Sequence, residues 1–545
     1  MIQKCYFESS SLAKQLELSF NNDSDSTQIN LIKRYDGKAS EVSFYMKFEK
    51  NIKVFRTQLY TWQKPGFNQN VISPHSSKII VFENEIHAIS AQNIGSWEIL
   101  DEKTIKWTLK SDELTPLFNF NNNASKSYIK SFEVENYHLK ILYTKDKVPE
   151  FSRSKIPFKP IVCFTDHCDF DNVNLLKKQL EFLRRNNVKI SKGFFLNHFS
   201  KNPYNCSYEN DEKLLNDFDA DGHELFYHSL TEKRRDKTSS KLYSENKESI
   251  NEFVNFRPPK LFSPSTYVDY GYQPYNFTRI KNFQMSDAEW SSIIIKKGIK
   301  NLWSYTDAGE AERGIINQLN PQHFTLDRIF KKKIYKGKYI LKSLLYYNGD
   351  EELHYKYSKL TTAIKLFIKL KNIISIFNFI KYLIPVIIPI IKLLLIKKNR
   401  KKPFKYNRLS PFIFRHKIGG EDFNFFQSVS VTDFETVFSK NNIDLLIEES
   451  GAIIVHCYFT DPFLYHSGRI FDGDEISNLN EINFKYLKEK IELKQIWNPT
   501  INELIEFTNK TANINFYMDK DENLIRPNIE NVPIRYIKAV HVKKD

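Results

Sequence analysis

Short runs of alternating apolar and polar residues fill the first 150 positions: Glu41–Phe48, Lys78–Phe82, Thr104–Leu109, Ser127–Phe132 and His138–Tyr143. Turns rich in Asn, Asp and Ser separate them. A period of two puts one side of each run on a core and the other on solvent, so the spacing predicts strands. In Trp97–Leu109, Trp97 and Ile99 share a face, and Ile105, Trp107 and Leu109 share one beyond the Asp101–Lys103 turn. That pattern predicts a hairpin. The expectation for residues 1–150 is an all-β domain, a sandwich or lipocalin-like barrel, with both tryptophans in its core.

From Lys155 the pattern changes. Ile161–Thr165 is a continuous apolar run suited to a buried parallel strand. Val173, Leu176, Leu180 and Leu183 follow at helical spacing up to Asn186–Asn187, and Val188–Leu196 reads as the next strand. Leu214, Leu215 and Phe218 form a short helical face stopped by Gly222, before a third strand at His223–His228. Repeated strand–helix units imply parallel pairing, and a distorted α/β barrel is the expected closure for 151–330 and 411–545.

Between them, residues 331–410 break this pattern. Leu366, Leu370, Ile373, Phe377, Ile380 and Ile384 recur on one helical face, with Lys365 and Lys369 at its flank. Tyr382–Ile396 is apolar except for Pro385, Pro389 and Lys392, and Lys397, Lys398, Arg400, Lys401 and Lys402 follow. The formal charge of the 545-residue chain is +15, but this insert alone carries 20 basic residues against three acids. The rest of the chain is therefore nearly neutral, which argues against a nucleic-acid partner. An apolar stripe beside a polybasic cluster is instead the pattern of a helix in a membrane interface, with Lys365, Lys369, Phe377, Lys397, Lys398 and Arg400 at the anionic surface.

Hydrophobic residues make up 41% of the chain and aromatics 14%, enough for large cores. Five irregularly spaced cysteines give no disulfide framework, and Met1–Glu17 has no apolar run of a signal peptide. The expected setting is cytoplasmic, peripheral at the inner face of the membrane.

Reactive groups in α/β barrels gather where strands end. Here the first strand ends in Thr165-Asp166-His167-Cys168-Asp169, and the third runs from Gly222 and His223 to His228, Ser229 and Glu232. Carboxylate and imidazole together suit Zn²⁺ or a related divalent ion, and four positions separate His228 from Glu232. His223 and Glu224 are expected to brace a strand end, and Cys163 to be core.

The order of these segments resembles the polysaccharide deacetylase family. Asn187-Val188-Lys189-Ile190-Ser191-Lys192-Gly193-Phe194-Phe195 is similar to its second strand, and Gly222–Glu232 to its second motif, with Glu232 where the family has His. Phe256-Arg257-Pro258-Pro259, Gly298–Trp303 and Gly451–His456 resemble its later motifs. The resemblance implies Asp166 as general base, His456 as general acid and Arg257 orienting the base. It implies Asp169, His228, Glu232 and His167 on a divalent metal such as Zn²⁺, with Trp303, Tyr267 and Asp307 around the substrate. The implied activity is N-deacetylation of an acetamido sugar or polysaccharide precursor. The alternative is a carbohydrate-binding pseudoenzyme on a deacetylase fold.

Overall fold

In the computed structural model of the chain, residues 1–9, 16–32, 38–66, 70–116, 132–195, 206–208, 211–228, 264–268, 286–304, 310–311, 317–331, 353, 356–357, 359–361, 363–364, 368, 373–431, 433–461, 468–519 and 523–539 are described. The N-terminal part is all-β there. Six strands form one sheet and seven another. Their inner faces share one core, with Phe7, Phe44 and Met46 from the first sheet meeting Ile29, Ile80 and Ile141 from the second. That is a sandwich. Trp97 and Trp107 pair across the expected hairpin, edge to face at 5.6 Å, and both are fully buried.

The second part is built on one ten-stranded sheet. Its strands are β1 (Ile161–Asp166), β2 (Ser191–Phe194), β3 (Glu224–His228), β4 (Thr266–Val268), β5 (Asn301–Trp303), β6 (Glu310–Ala311), β7 (Ile413–Ile418), β8 (Glu421–Phe426), β9 (Val429–Val431) and β10 (Ala452–Cys457). The spatial order is β6-β9-β10-β1-β2-β3-β4-β5-β8-β7. Every neighbouring pair is parallel except the β7–β8 hairpin. Among the described residues the strands form an open, largely parallel sheet, and closure into the expected distorted α/β barrel is not seen there. The antiparallel strand β7 lies along one edge, and the two-residue strand β6 ends the other.

Helix α1 (Val173–Arg185) follows β1 as its spacing predicts. Asn172 caps its start through Asn174 N–H, and Leu176, Leu180 and Leu183 are buried. Asn187, at φ 49°, turns the chain into the second strand. Helix α2 (Glu212–Ala220) buries Leu214, Leu215 and Phe218 on the same face of the sheet. The other face is layered. At the amino ends, Ser191, Thr266 and the main-chain N–H of Asn502 all donate to Glu224. Burial raises the Glu224 pKa, and those hydrogen bonds oppose the rise. Above it lies an apolar layer of Cys163, Phe226, Ile454 and Phe426. Gly193 has no alternative there, because a Cβ would sit 2.2 Å from the Phe226 ring. Glu224 and Cys163 are thus structural, as expected.

The ends of the second part are tied back to the sandwich. Val148–Phe151 pairs antiparallel with Ile534–Ile537. The buried Glu150 carboxylate accepts from Arg56 at 2.6 Å and from Arg535 at 2.7 Å. Arg535 is partly exposed, so most of the cost of breaking this cluster falls on Arg56, which is buried. Glu150→Ala is expected to lower stability by about 3 kcal/mol, the usual penalty of orphaning a buried ion-pair partner. Urea denaturation checks this, and a loss under about 1 kcal/mol would show the pairing to be dispensable.

Candidate active site at the carboxyl edge

At the carboxyl end of β1 the chain must place several polar groups in a buried position. Asp166 is fully buried, and its carboxylate is saturated. Oδ2 accepts from Lys192 Nζ at 2.6 Å and Gln179 Nε2 at 2.7 Å, and Oδ1 accepts from Phe459 N–H at 2.8 Å. Lys192 Nζ also donates to Asp171. Burial alone would lower the Lys192 pKa, but the Asp166 and Asp171 charges outweigh it and hold the group above the ordinary lysine value. Burial, opposed by Lys192 and aided by Asp166, pushes Asp171 up to about 7. One ammonium thus serves two carboxylates, and the second of them holds its proton to neutral pH.

This places Asp166, the expected general base, within a structural cluster. A general base needs an oxygen free to approach a substrate proton. Both of its oxygens are occupied by donors from β2, α1 and the segment after β10. Asp166 instead fastens those three elements together.

Imidazoles gather beside it. His167 stacks on His456 with ring centroids 4.2 Å apart and lies 4.7 Å from His228 and 5.5 Å from Trp303. Tyr458 is 5.4 Å from His167 and 5.1 Å from His456. The Trp303 indole donates to Ser428 at 2.8 Å, which fixes its edge and leaves the ring beside His456 at 5.1 Å. His228 Nε2 and Asp169 Oδ1 are 2.6 Å apart, and His228 Nδ1 faces the Val268 carbonyl at 3.4 Å. Both ring nitrogens of His228 therefore point at oxygens that only accept. Asp169 and the Val268 carbonyl thus hold the His228 ring from both sides.

The structure thus brings together Asp169, His228, His167, His456 and Trp303 from the ends of β1, β3, β5 and β10. It does not bring Tyr267 with them. Period two turns Tyr267 to the helix-covered face, where it pairs with Tyr227 in the core. Val268 is its neighbour on the site side. Arg257, Glu232 and Asp307 lie outside the described residues. Lys192, Asp171 and Tyr458 belong to the site and were not singled out from the sequence.

Asp169 and His228 are also the described residues that fit a divalent ion. Two ligands each about 2.0–2.2 Å from one ion sit roughly 3 Å apart, so the pair would open by a few tenths of an ångström. Among the described residues, no group of three His, Cys, Asp or Glu side chains is arranged to hold a metal. The pair therefore supplies two donors of a set.

No family model matches this chain, and no curated protein does. Solved structures that align with it include two of a Flavobacterium johnsoniae GH31 dextranase, one a mutant complexed with isomaltotriose and one complexed with glucose. Identities are 8% and 9%, over 96% and 98% of this chain and 73% and 68% of theirs, with TM-scores of 0.25 and 0.24. Scores that low transfer neither fold nor activity to this chain. The expected N-deacetylase is corrected to this extent: no family model matches, and these two solved structures are of a dextranase.

Proposed function

We propose that this chain is a carbohydrate-active enzyme that takes a glycan at the carboxyl edge of its open sheet and works on it by proton transfer. The observation that supports this is the continuous wall from Trp303 through His456 and His167 to the Asp169–His228 pair. A pyranose has apolar C–H faces and a polar rim, and the narrow exposed edges of Trp303 and His456, 8% each, would meet it beside the titratable groups. Asp169 and His228, 2.6 Å apart, are the pair placed for proton transfer when no ion lies between them. His456 and Trp303 position the sugar. A divalent ion, Zn²⁺ by its donor chemistry, would be held by Asp169 and His228 and would add positive charge at that end of the wall.

The test is calorimetric titration with gluco- and acetamido-oligosaccharides. Saturable binding is expected, weakened about tenfold or more by Trp303→Ala, the equivalent of about 1.4 kcal/mol. Binding unaffected by both Trp303→Ala and His456→Ala would place any glycan elsewhere and remove the reading.

A further inference from the structure

Helix α3 (Ile373–Leu395) runs unbroken through Pro385 and Pro389 and is apolar over most of its surface. A surface of that kind needs cover. Its inner face has it: Tyr382, Leu383, Val386 and Leu393 pack against Leu353 and Leu360, and Ile390 and Leu394 reach the main core. Its outer face does not. Phe377, Ile380, Ile384, Ile387, Ile388, Ile391 and Leu395 are all exposed, from 40% up to 77%. At 100° per residue they fall within an arc of about 100°, opposite the packed side.

Charge decides what covers this stripe. Lys381 and Lys392 are exposed along one flank of the arc. The next helix, α4 (Lys397–Lys401), and the residue after it present Lys397, Lys398, Lys401 and Lys402 to solvent, while Arg400 is paired with Asp327. No Asp or Glu occurs between Glu352 and Glu421. A second copy of the chain would bring like charges together, and a nucleic acid has no use for seven large apolar side chains. We propose that the outer face of α3 docks on an anionic lipid bilayer, lying in the interface with the α4 lysines on the headgroups.

The helix lies flat and does not cross. Tyr382, Leu383, Val386 and Leu393 are packed against the rest of the chain, so the outer arc alone is free to enter the bilayer. The two prolines lack the N–H groups that would bond the carbonyls of Lys381 and Pro385, and water at an interface satisfies those carbonyls where hydrocarbon does not. Lys381 and Lys392 reach up along the apolar surface to the headgroups.

The experiment is co-sedimentation of the full chain with phosphatidylcholine vesicles, with and without phosphatidylglycerol. The protein is expected in the pellet with anionic vesicles at low salt and in the supernatant at high salt or with neutral ones. Lys397→Gln, Lys398→Gln and Lys401→Gln together should weaken binding about a hundredfold. Ile384→Ser, Ile388→Ser and Ile391→Ser together should abolish it, with an unchanged melting temperature because all three sites are exposed. Protein that ignores anionic vesicles at low salt overturns the proposal. So does sedimentation equilibrium showing a dimer that the serine variant splits, since that assigns the face to a second copy.

Discussion

Lys192→Met is expected to destabilise the chain by about 3–5 kcal/mol, because it leaves two buried carboxylates without their ammonium partner. Asp166 keeps Gln179 and the Phe459 N–H, but Asp171 loses its counter-charge. The melting temperature should fall accordingly, and a loss below about 1 kcal/mol would mean that water reaches the cluster. Asp171→Asn has the opposite sign and depends on pH. Its folded-state pKa is raised, from 3.8 to about 7, so its contribution is intact below pH 4 and is lost as pH rises through 7. Wild type should therefore lose stability between pH 4 and 7 relative to Asp171→Asn, at up to about 1.4 kcal/mol per pH unit. The two curves should run parallel above pH 8. Parallel curves throughout would show that Asp171 is ionised across the range.

Asp169→Asn separates chemistry from folding. On any glycan the wild type turns over, kcat/KM is expected to fall about 10²–10⁴-fold, the usual contribution of a positioned acid–base group. Glycan binding and the melting temperature should change little, since the asparagine keeps the shape of the carboxylate beside His228. A variant with normal turnover would assign proton transfer to His456 or to a residue outside the Asp169–His228 pair.

The elements were more legible than their closure or their chemistry. Helix α1 could be read from Val173, Leu176, Leu180 and Leu183, and the Trp97–Trp107 hairpin from alternation, because each pattern follows from local geometry. The open sheet could not, since the pairing of β8 with β5 and of β6 with β9 joins segments far apart in the chain. For the site, strand ends marked Asp169, His228 and His456 correctly as neighbours. The sequence did hold one unused signal. Lys192 falls within the predicted strand Val188–Leu196, and a lysine buried there needs a carboxylate partner. Tyr267 was misplaced by one residue, which in a strand is the whole difference between a site and a core.

The pairing of β1 with β10 also bears on how the chain is made. Thr165 bonds to Val455 across 290 positions, so β1 leaves the ribosome long before its partner exists. At about 5–20 residues per second the wait is roughly 15–60 s. During that time the sandwich can fold, while the six-residue strand Ile161–Asp166 stands as an apolar, unpaired edge. Such an edge recruits any other extended segment nearby. Expression hosts that slow translation or lack holding chaperones should thus yield aggregates nucleated at this strand, whatever the stability of the finished protein.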